Sequence, residues 1–315
     1  MSAIAIVGAG LVGRAWAISF ARAGHQVRLY DETSRAAGTA KDFAAEALPM
    51  LEAEGLLDEK KAADVLAHIS VVASLEAALE NAVHVQESTP EVLDIKKVVY
   101  AKLDRIAGPD TVLASSTSAI LPSKFTADLA GRHRCLVVHP INPPYLIPAV
   151  EIVPAPWTAP EVMERTRTLM ADIGQSPIVM KKEIDGFIMN RMQGALLEEA
   201  FRLVADGYAS VEDVDIGLRD GLALRWSFMG PFETIDLNAS GGIRDYVERY
   251  QQIYVRIFPS MQRRVDWQGP VLDGAEADRR KLLPAAELPS RTLWRDKRLM
   301  ALLAHKRRAS KTIGS

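Results

Sequence analysis

The sequence predicts an α/β chain of two domains, a doubly wound, mostly parallel sheet followed by an all-α domain. Three observations predict it. Short apolar runs alternate with helical stretches up to Lys182, the order expected of a parallel sheet covered on both faces. The segment Gly8-Ala-Gly10-Leu-Val-Gly13 directly follows the first run, and after Lys182 almost nothing reads as a strand. The division is expected at residues 1–182 and 183–315, and a length of 315 residues suits two domains.

Ala3 to Val7 is a short apolar run ending at the glycines, as in a fully buried parallel strand. Leu11 to Ala23 then reads as a helix stopped by Gly24, and Gln26 to Tyr30 as a second strand with Asp31 at its end. Residues 34–67 look helical with a break at Gly55. Further strands are expected at Ile69 to Val72, Val83 to Glu87, Thr111 to Ser115, Cys135 to Val138, Val150 to Val153 and Pro177 to Met180. Helices are expected at Leu75 to Asn81, Leu93 to Ile106 and Ala159 to Ile173. A long helix from Gly186 to Asp206 opens the second domain, and Ser210-Val-Glu-Asp213 is a capping box with Asp in place of Glu. Beyond it, Gly230-Pro231, Gly269-Pro270, Pro284 and Pro289 break the chain into helical pieces, and the basic end from His305 reads as a solvated terminus.

Composition narrows the class. Apolar residues make up 48% and charged residues 25%, as in an ordinary globular protein, and the net charge of −2 gives no global attraction to nucleic acid or an anionic membrane. A single cysteine, Cys135, excludes an internal disulfide and fits a reducing compartment; within Cys135-Leu-Val-Val it reads as a buried strand residue. No apolar run reaches the roughly 20 residues of a membrane span. The first seven residues already read as a strand, so no signal peptide is expected and the protein is expected to be cytoplasmic.

Gly8, Gly10 and Gly13 have the spacing that lets a strand turn tightly into a helix while the backbone, at Leu11 and Val12 as well, approaches a pyrophosphate at the helix N-terminus. The context of a preceding strand and a following helix makes this a Rossmann fingerprint. Asp31, 23 residues after Gly8, suits the ribose hydroxyls of NAD and would repel the 2′-phosphate of NADP; Arg35 is the nearest cation that could rescue NADP. Glu91 and Lys96, after the strand ending at Glu87, are candidates for the nicotinamide end of NAD, since the carboxyl ends of the strands face the ligand crevice.

The chemistry is expected at the same edge. Ser115-Ser-Thr-Ser118 follows one strand, His139 follows the next, and Asn142 lies in a loop stiffened by prolines. Glu151 sits inside an apolar strand, where a carboxylate needs a partner, and His139 is the obvious one. A His steadied by a Glu is suited to moving a proton while a nicotinamide takes a hydride, which points to an alcohol dehydrogenase for a small hydroxylated substrate. Asn190, an amide on an apolar helix face with Gly194, Leu197 and Phe201, is either a structural hydrogen bonder or a ligand contact.

Gly8-x-Gly10-x-x-Gly13, Asp31, Glu91, Lys96, Ser118, His139-x-x-Asn142, Glu151 and Gly186-Phe-Ile-Met-Asn190 together resemble the L-3-hydroxyacyl-CoA dehydrogenase superfamily, over both domains to about Asn238. Val85-Gln-Glu-Ser-Thr-Pro-Glu91, Ser115-Ser-Thr-Ser118, His139-Pro-Ile-Asn-Pro-Pro-Tyr145, Gly230-Pro-Phe-Glu-Thr234 and Trp294-Arg-Asp296 are similar to its λ-crystallin, or L-gulonate 3-dehydrogenase, branch over nearly the whole chain. L-Carnitine dehydrogenases are similar in the first half. The resemblance implies His139 as general base and Glu151 as the group holding its tautomer. It also implies Ser118 and Asn190 on the reacting oxygen, Asn142 supporting the pair or the substrate, and Glu91 and Lys96 positioning the nicotinamide and its ribose.

The resemblance implies that the helical excursion after the second strand, residues 41–70 here, is where a coenzyme A moiety would bind. These residues hold seven acids (Asp42, Glu46, Glu52, Glu54, Asp58, Glu59, Asp64) against Lys41, Lys60 and Lys61, a surface that would repel the phosphates of coenzyme A. A small free L-3-hydroxy acid, L-gulonate-like, is therefore the expected substrate, and Arg225 the candidate anchor for its carboxylate. An L-3-hydroxyacyl-CoA dehydrogenase and an L-carnitine dehydrogenase are the alternatives; a structural protein with a vestigial NAD site is the alternative from another class. Apolar side chains on more than one face of the helix from Gly186 (Ile188, Met192 and Leu196; Leu197 and Phe201) predict a homodimer, in agreement with the resemblance. No metal is called for.

Overall fold

The computed structural model describes residues 3–314. By its internal contacts the chain forms two compact units, one of residues 1–190 with 296–304, the other of residues 191–295 with 305–315. The first carries eight strands: β1 (Ala3–Val7), β2 (Gln26–Tyr30), β3 (Ile69–Val71), β4 (Ala82–Glu87), β5 (Val112–Ser115), β6 (Cys135–Pro140), β7 (Ala149–Pro154) and β8 (Ser176–Val179). Between them run α1 (Leu11–Arg22), α2 (Ser34–Ala53), α3 (Ala62–Ala67), α4 (Leu75–Leu79), α5 (Leu93–Ile106), α6 (Pro122–Thr126) and α7 (Pro160–Asp172).

The strand order is β3-β2-β1-β4-β5-β6-β7-β8, so the winding reverses between β1 and β4, where a doubly wound sheet opens its ligand crevice. Period-two alternation buries both faces. Ile4, Ile6, Val27, Leu29, Leu136 and Val138 pack with α1, α2 and α7 in one core, and Ala5, Val7, Leu113, Cys135 and Val137 pack with α4, α5 and α6 in the other. Met300 and Ala304 join the first of these cores. β1 to β6 are parallel, and β7 with β8, parallel to each other, runs the opposite way. The link of residues 141–148 is too short for a crossover helix, so β7 returns antiparallel to β6 and sets His139 directly opposite Glu151.

Residues 34–67 are helical with a break at Gly55, as expected: α2 stops at Ala53, Gly55 takes φ 69°, and the helix resumes over Ala62–Ala67. One expected helix begins elsewhere. The helix expected from Gly186 starts instead at Met189, as α8 (Met189–Ala205), because Gly186 (φ 76°) and Phe187 (φ 48°) both lie in the left-handed region. Residues 183–190 stay with the sheet unit, tied to it through Glu151 and Ser118.

Cys135 is buried on β6, and burial, with the Asp104 carboxylate adding to it, pushes its thiol up to about 12, as befits a core residue and not a nucleophile. His84 on β4 is fully buried beside Phe20, with Nε2 on the Gln86 amide oxygen at 3.0 Å. Burial drops it from 6.5 to about 4, so between those values the unfolded chain binds a proton that the native one refuses. Stability is expected to be flat in this respect above pH 6.5 and to fall by on the order of 3 kcal/mol as pH drops to 4. Urea midpoints of the wild type and of His84→Gln, taken from pH 7 to 4.5, check this: the variant should lose that share of the decline.

The second unit is helical, with α9 (Val211–Ile216), α10 (Ala223–Trp226), α11 (Pro231–Leu237), α12 (Gly242–Met261), α13 (Pro270–Leu282) and α14 (Leu288–Thr312) following α8, except that residues 296–304 of α14 belong to the first unit. The Ser210–Asp213 capping box forms as expected, with both reciprocal bonds present. Phe201 stacks on Trp267 at 5.0 Å, and Arg202 pairs with Glu198 and Glu199 while donating to the Arg263 carbonyl.

Candidate active site

The turn after β1 is built for a diphosphate. Gly8 (φ 95°) passes so close to β4 that a side chain would put its Cβ 2.6 Å from the Ser88 carbonyl oxygen, and a Cβ on Gly13 would lie 1.9 Å from that of Gly8. Gly10, in contrast, faces open space, with nothing within 4 Å of where a Cβ would stand. The first i to i−4 bond of α1 is Arg14 N–H to Gly10 O, so the amides of Leu11, Val12 and Gly13 are left for a ligand at the positive end of the helix. The three glycines thus have separate jobs, two in packing and one in clearance, and the residues fit the dinucleotide that the spacing predicts.

Asp31 accepts from the Ala9 amide at 2.8 Å and the Thr33 amide at 2.9 Å. Each of its oxygens keeps a lone pair beside a cleft of about 1080 Å³ lined by Gly8, Gly10, Asp31, Ser88 and Pro90. These lone pairs could accept the hydroxyls of a ribose.

Further along the sheet edge, Glu91 and Lys96 stand together but not as a pair of open ligands. Lys96 is 1% exposed and donates to both oxygens of Glu87, at 3.0 and 3.1 Å, with the Glu91 carboxylate at 3.8 Å. Glu91 Oε1 accepts from Thr117 Oγ1, and from the Ser118 and Ala119 amides at 2.9 Å each. Glu91 therefore grips the turn that carries Ser118. Sequence reasoning passed over Glu87, although a carboxylate closing an apolar strand carries the same signal that singled out Glu151.

His139 and Glu151 meet as their register requires. Nδ1 of the imidazole lies 2.7 Å from Glu151 Oε2, while Oε1 accepts the amides of Ile188 (2.6 Å) and Met189 (2.9 Å) at the start of α8. Glu151 is fully buried and its other two partners are N–H donors, so both of its oxygens are acceptors at the start of α8. Nδ1 then carries the hydrogen and Nε2 the lone pair. Among the described residues no protein group hydrogen-bonds Nε2. The Phe187 ring, 5.5 Å from the imidazole, walls it on one side; the left-handed Phe187 backbone that brings it there has no signature in sequence.

Asn190 Nδ2 donates to the Ser118 carbonyl at 2.6 Å, so one half of its amide is structural and the other half is available. Hydrogen bonds thus run from His139 through Glu151 to α8, and from Asn190 through Ser118 to Glu91. Asn142 is exposed after β6, and Arg225 lies in the second unit, where its guanidinium donates to Asn238 at 3.2 Å.

Two family models match the chain. The 3-hydroxyacyl-CoA dehydrogenase NAD binding domain matches residues 3–184 and the C-terminal domain of the same name matches residues 186–270. λ-Crystallin of Oryctolagus cuniculus is 42% identical over 307 residues, 96% of either chain. L-Carnitine dehydrogenase of a Pseudomonas species is 39% identical over 248 residues, 78% of this chain and 76% of that one. Among solved structures, the 5-formyl-3-hydroxy-2-methylpyridine 4-carboxylic acid 5-dehydrogenase, described as an NAD+-dependent dismutase, aligns with a TM-score of 0.82 at 28% identity, covering 98% of both chains. 3-Hydroxybutyryl-CoA dehydrogenase from Escherichia coli K12 aligns with a TM-score of 0.66 at 31% identity, over 75% of this chain and 49% of that one.

Proposed function

The chain belongs to the 3-hydroxyacyl-CoA dehydrogenase family, and from that premise we propose that it oxidises the 3-hydroxyl of a small free L-3-hydroxy acid, L-gulonate-like, to the 3-keto acid. The observation that carries the reading is the His139–Glu151 pair, 2.7 Å apart, with Nε2 left for the substrate. NAD, when bound on Gly8 to Gly13 and Asp31, supplies the hydride acceptor. His139 Nε2 takes the hydroxyl proton, and the Glu151 carboxylate stabilises the imidazolium and fixes its tautomer. Ser118 Oγ and the remaining Asn190 N–H hold the reacting oxygen, and Asn142 supports the pair or the substrate. Glu91 serves the nicotinamide end, whereas Lys96, buried against Glu87, acts from behind it and does not touch the cofactor.

Two features favour a free acid over a CoA thioester. Of the three lysines on the acidic excursion of α2 and α3, Lys60 donates to the Arg22 carbonyl at 2.6 Å and Lys61 pairs with Glu52 at 3.2 Å. Little cationic surface is left there for phosphates. L-Carnitine, named in the substrate of one relative, is itself a free 3-hydroxy acid. Arg225 is the proposed carboxylate anchor. Initial rates of NADH formation with L-gulonate, L-3-hydroxybutyrate, L-carnitine and L-3-hydroxybutyryl-CoA, run side by side, test this. A free acid should give the highest kcat/KM; preference for the thioester would overturn the substrate assignment.

A cytoplasmic homodimer completes the proposal. Among the described residues no helix is long and apolar enough to cross a membrane. Met192 and Leu196 on α8, and Ile253, Ile257 and Phe258 on α12, are exposed in the single chain, which is the surface a second copy would cover. Light scattering at micromolar protein should give twice the mass of the 34.5 kDa chain. A monomer would contradict it.

A further inference from the structure

We propose that Glu87 is a positioning residue for the substrate-side turn: it fixes the Lys96 ammonium against Glu91, and through it holds the turn of residues 117–119 that presents Ser118. The importance of that turn rests on the reading above, in which Ser118 serves the reacting oxygen.

Glu87 closes β4 at the sheet's carboxyl edge and is fully buried. Its Oε1 accepts from the Thr89 amide at 2.6 Å, from Thr89 Oγ1 and from Lys96 Nζ at 3.0 Å. Its Oε2 accepts from Lys96 Nζ at 3.1 Å and from Ser115 Oγ at 2.5 Å. Thr89, Lys96 and Ser115 thus converge on this one carboxylate. Lys96, buried in the first turn of α5, has one other anion nearby, Glu91 Oε2 at 3.8 Å.

The two oxygens of Glu91 divide the labour. Oε2 faces the ammonium, and Oε1 faces the turn, where it meets the Ser118 and Ala119 amides and the Thr117 hydroxyl. Glu91 is 40% exposed and would be free to rotate without the ammonium behind it. A second path runs from Glu87 to Ser115 Oγ, which in turn accepts the Thr117 amide at 3.2 Å. Glu87 thus reaches the turn from both ends, which a salt bridge serving the core alone would not require. Ion pairs that serve only a core are replaceable by neutral groups at little cost.

The test uses the full chain without added ligand, so it does not depend on knowing the substrate. Amide exchange is measured for Ser118 and Ala119 against the β5 amides in the wild type, Glu87→Gln and the charge-neutral double variant Glu87→Gln/Lys96→Met. The proposal expects exchange at Ser118 and Ala119 to rise at least tenfold in both variants with the β5 amides unchanged. Unchanged exchange at the turn, or a rise shared equally by β5, would overturn it and leave a core ion pair. Should Glu87→Gln alone fail to fold, the double variant decides. If the wild type turned over none of the four candidate substrates, the proposed reaction would fail while this exchange result still judged Glu87.

Discussion

Replacing His139 by alanine is expected to lower the rate of oxidation by about 10²- to 10⁴-fold while NAD binds as before. The loss is large because the imidazole lone pair is left for the substrate: Nδ1 is committed to Glu151 and Nε2 is not. NAD affinity is spared because the diphosphate turn and Asp31 owe nothing to His139: Gly8 N–H donates to the Tyr30 carbonyl, and Asp31 accepts from the Ala9 and Thr33 amides. Steady-state rates and NAD titration on the same preparations check both halves. Loss of activity together with loss of NAD binding would assign His139 to the fold instead of the reaction.

Glu151→Gln should be nearly as damaging, by about 10²- to 10⁴-fold, at almost unchanged size. Three N–H groups converge on the two oxygens of Glu151, from His139 and from residues 188 and 189. Glutamine has a single acceptor oxygen. If it faces α8, the amide NH₂ meets Nδ1 and forces the tautomer with hydrogen on Nε2, which cannot take a proton. If it faces His139, two backbone amides at the start of α8 lose their partner. Either way stability should drop by about 1–3 kcal/mol, and Glu151→Ala should cost about 3–5 kcal/mol because it removes the acceptor altogether. Thermal or urea unfolding alongside kcat measures both. A Gln variant with full activity would show that the carboxylate is merely packed there.

The doubly wound sheet was legible in the sequence because buried parallel strands leave continuous apolar runs, and the Gly8–Gly13 turn leaves a spacing that few other structures need. The pairing of His139 with Glu151 was legible for a different reason: an acid inside an apolar strand demands a partner, and twelve residues allow a return strand to supply one. The start of α8 was not legible, since nothing marks Phe187, a non-glycine residue, for the left-handed region. Lys96 was expected beside the cofactor ribose; that it would be buried against Glu87 could not be read from a lysine in a polar first turn, where charges are ordinarily solvated. Asn190 had been an even choice between structure and ligand, and its amide shows why: one N–H goes to Ser118 and the rest of the group is left over.

Isotopic labelling of the substrate decides whether hydride leaves C3. With the preferred free acid deuterated at C3, kcat/KM should fall and the deuterium should be recovered in the NADH formed. NADH lacking the label would place the oxidation at another carbon. Absence of NADH from every free acid, with turnover of the CoA thioester, would contradict the substrate assignment on which the account rests.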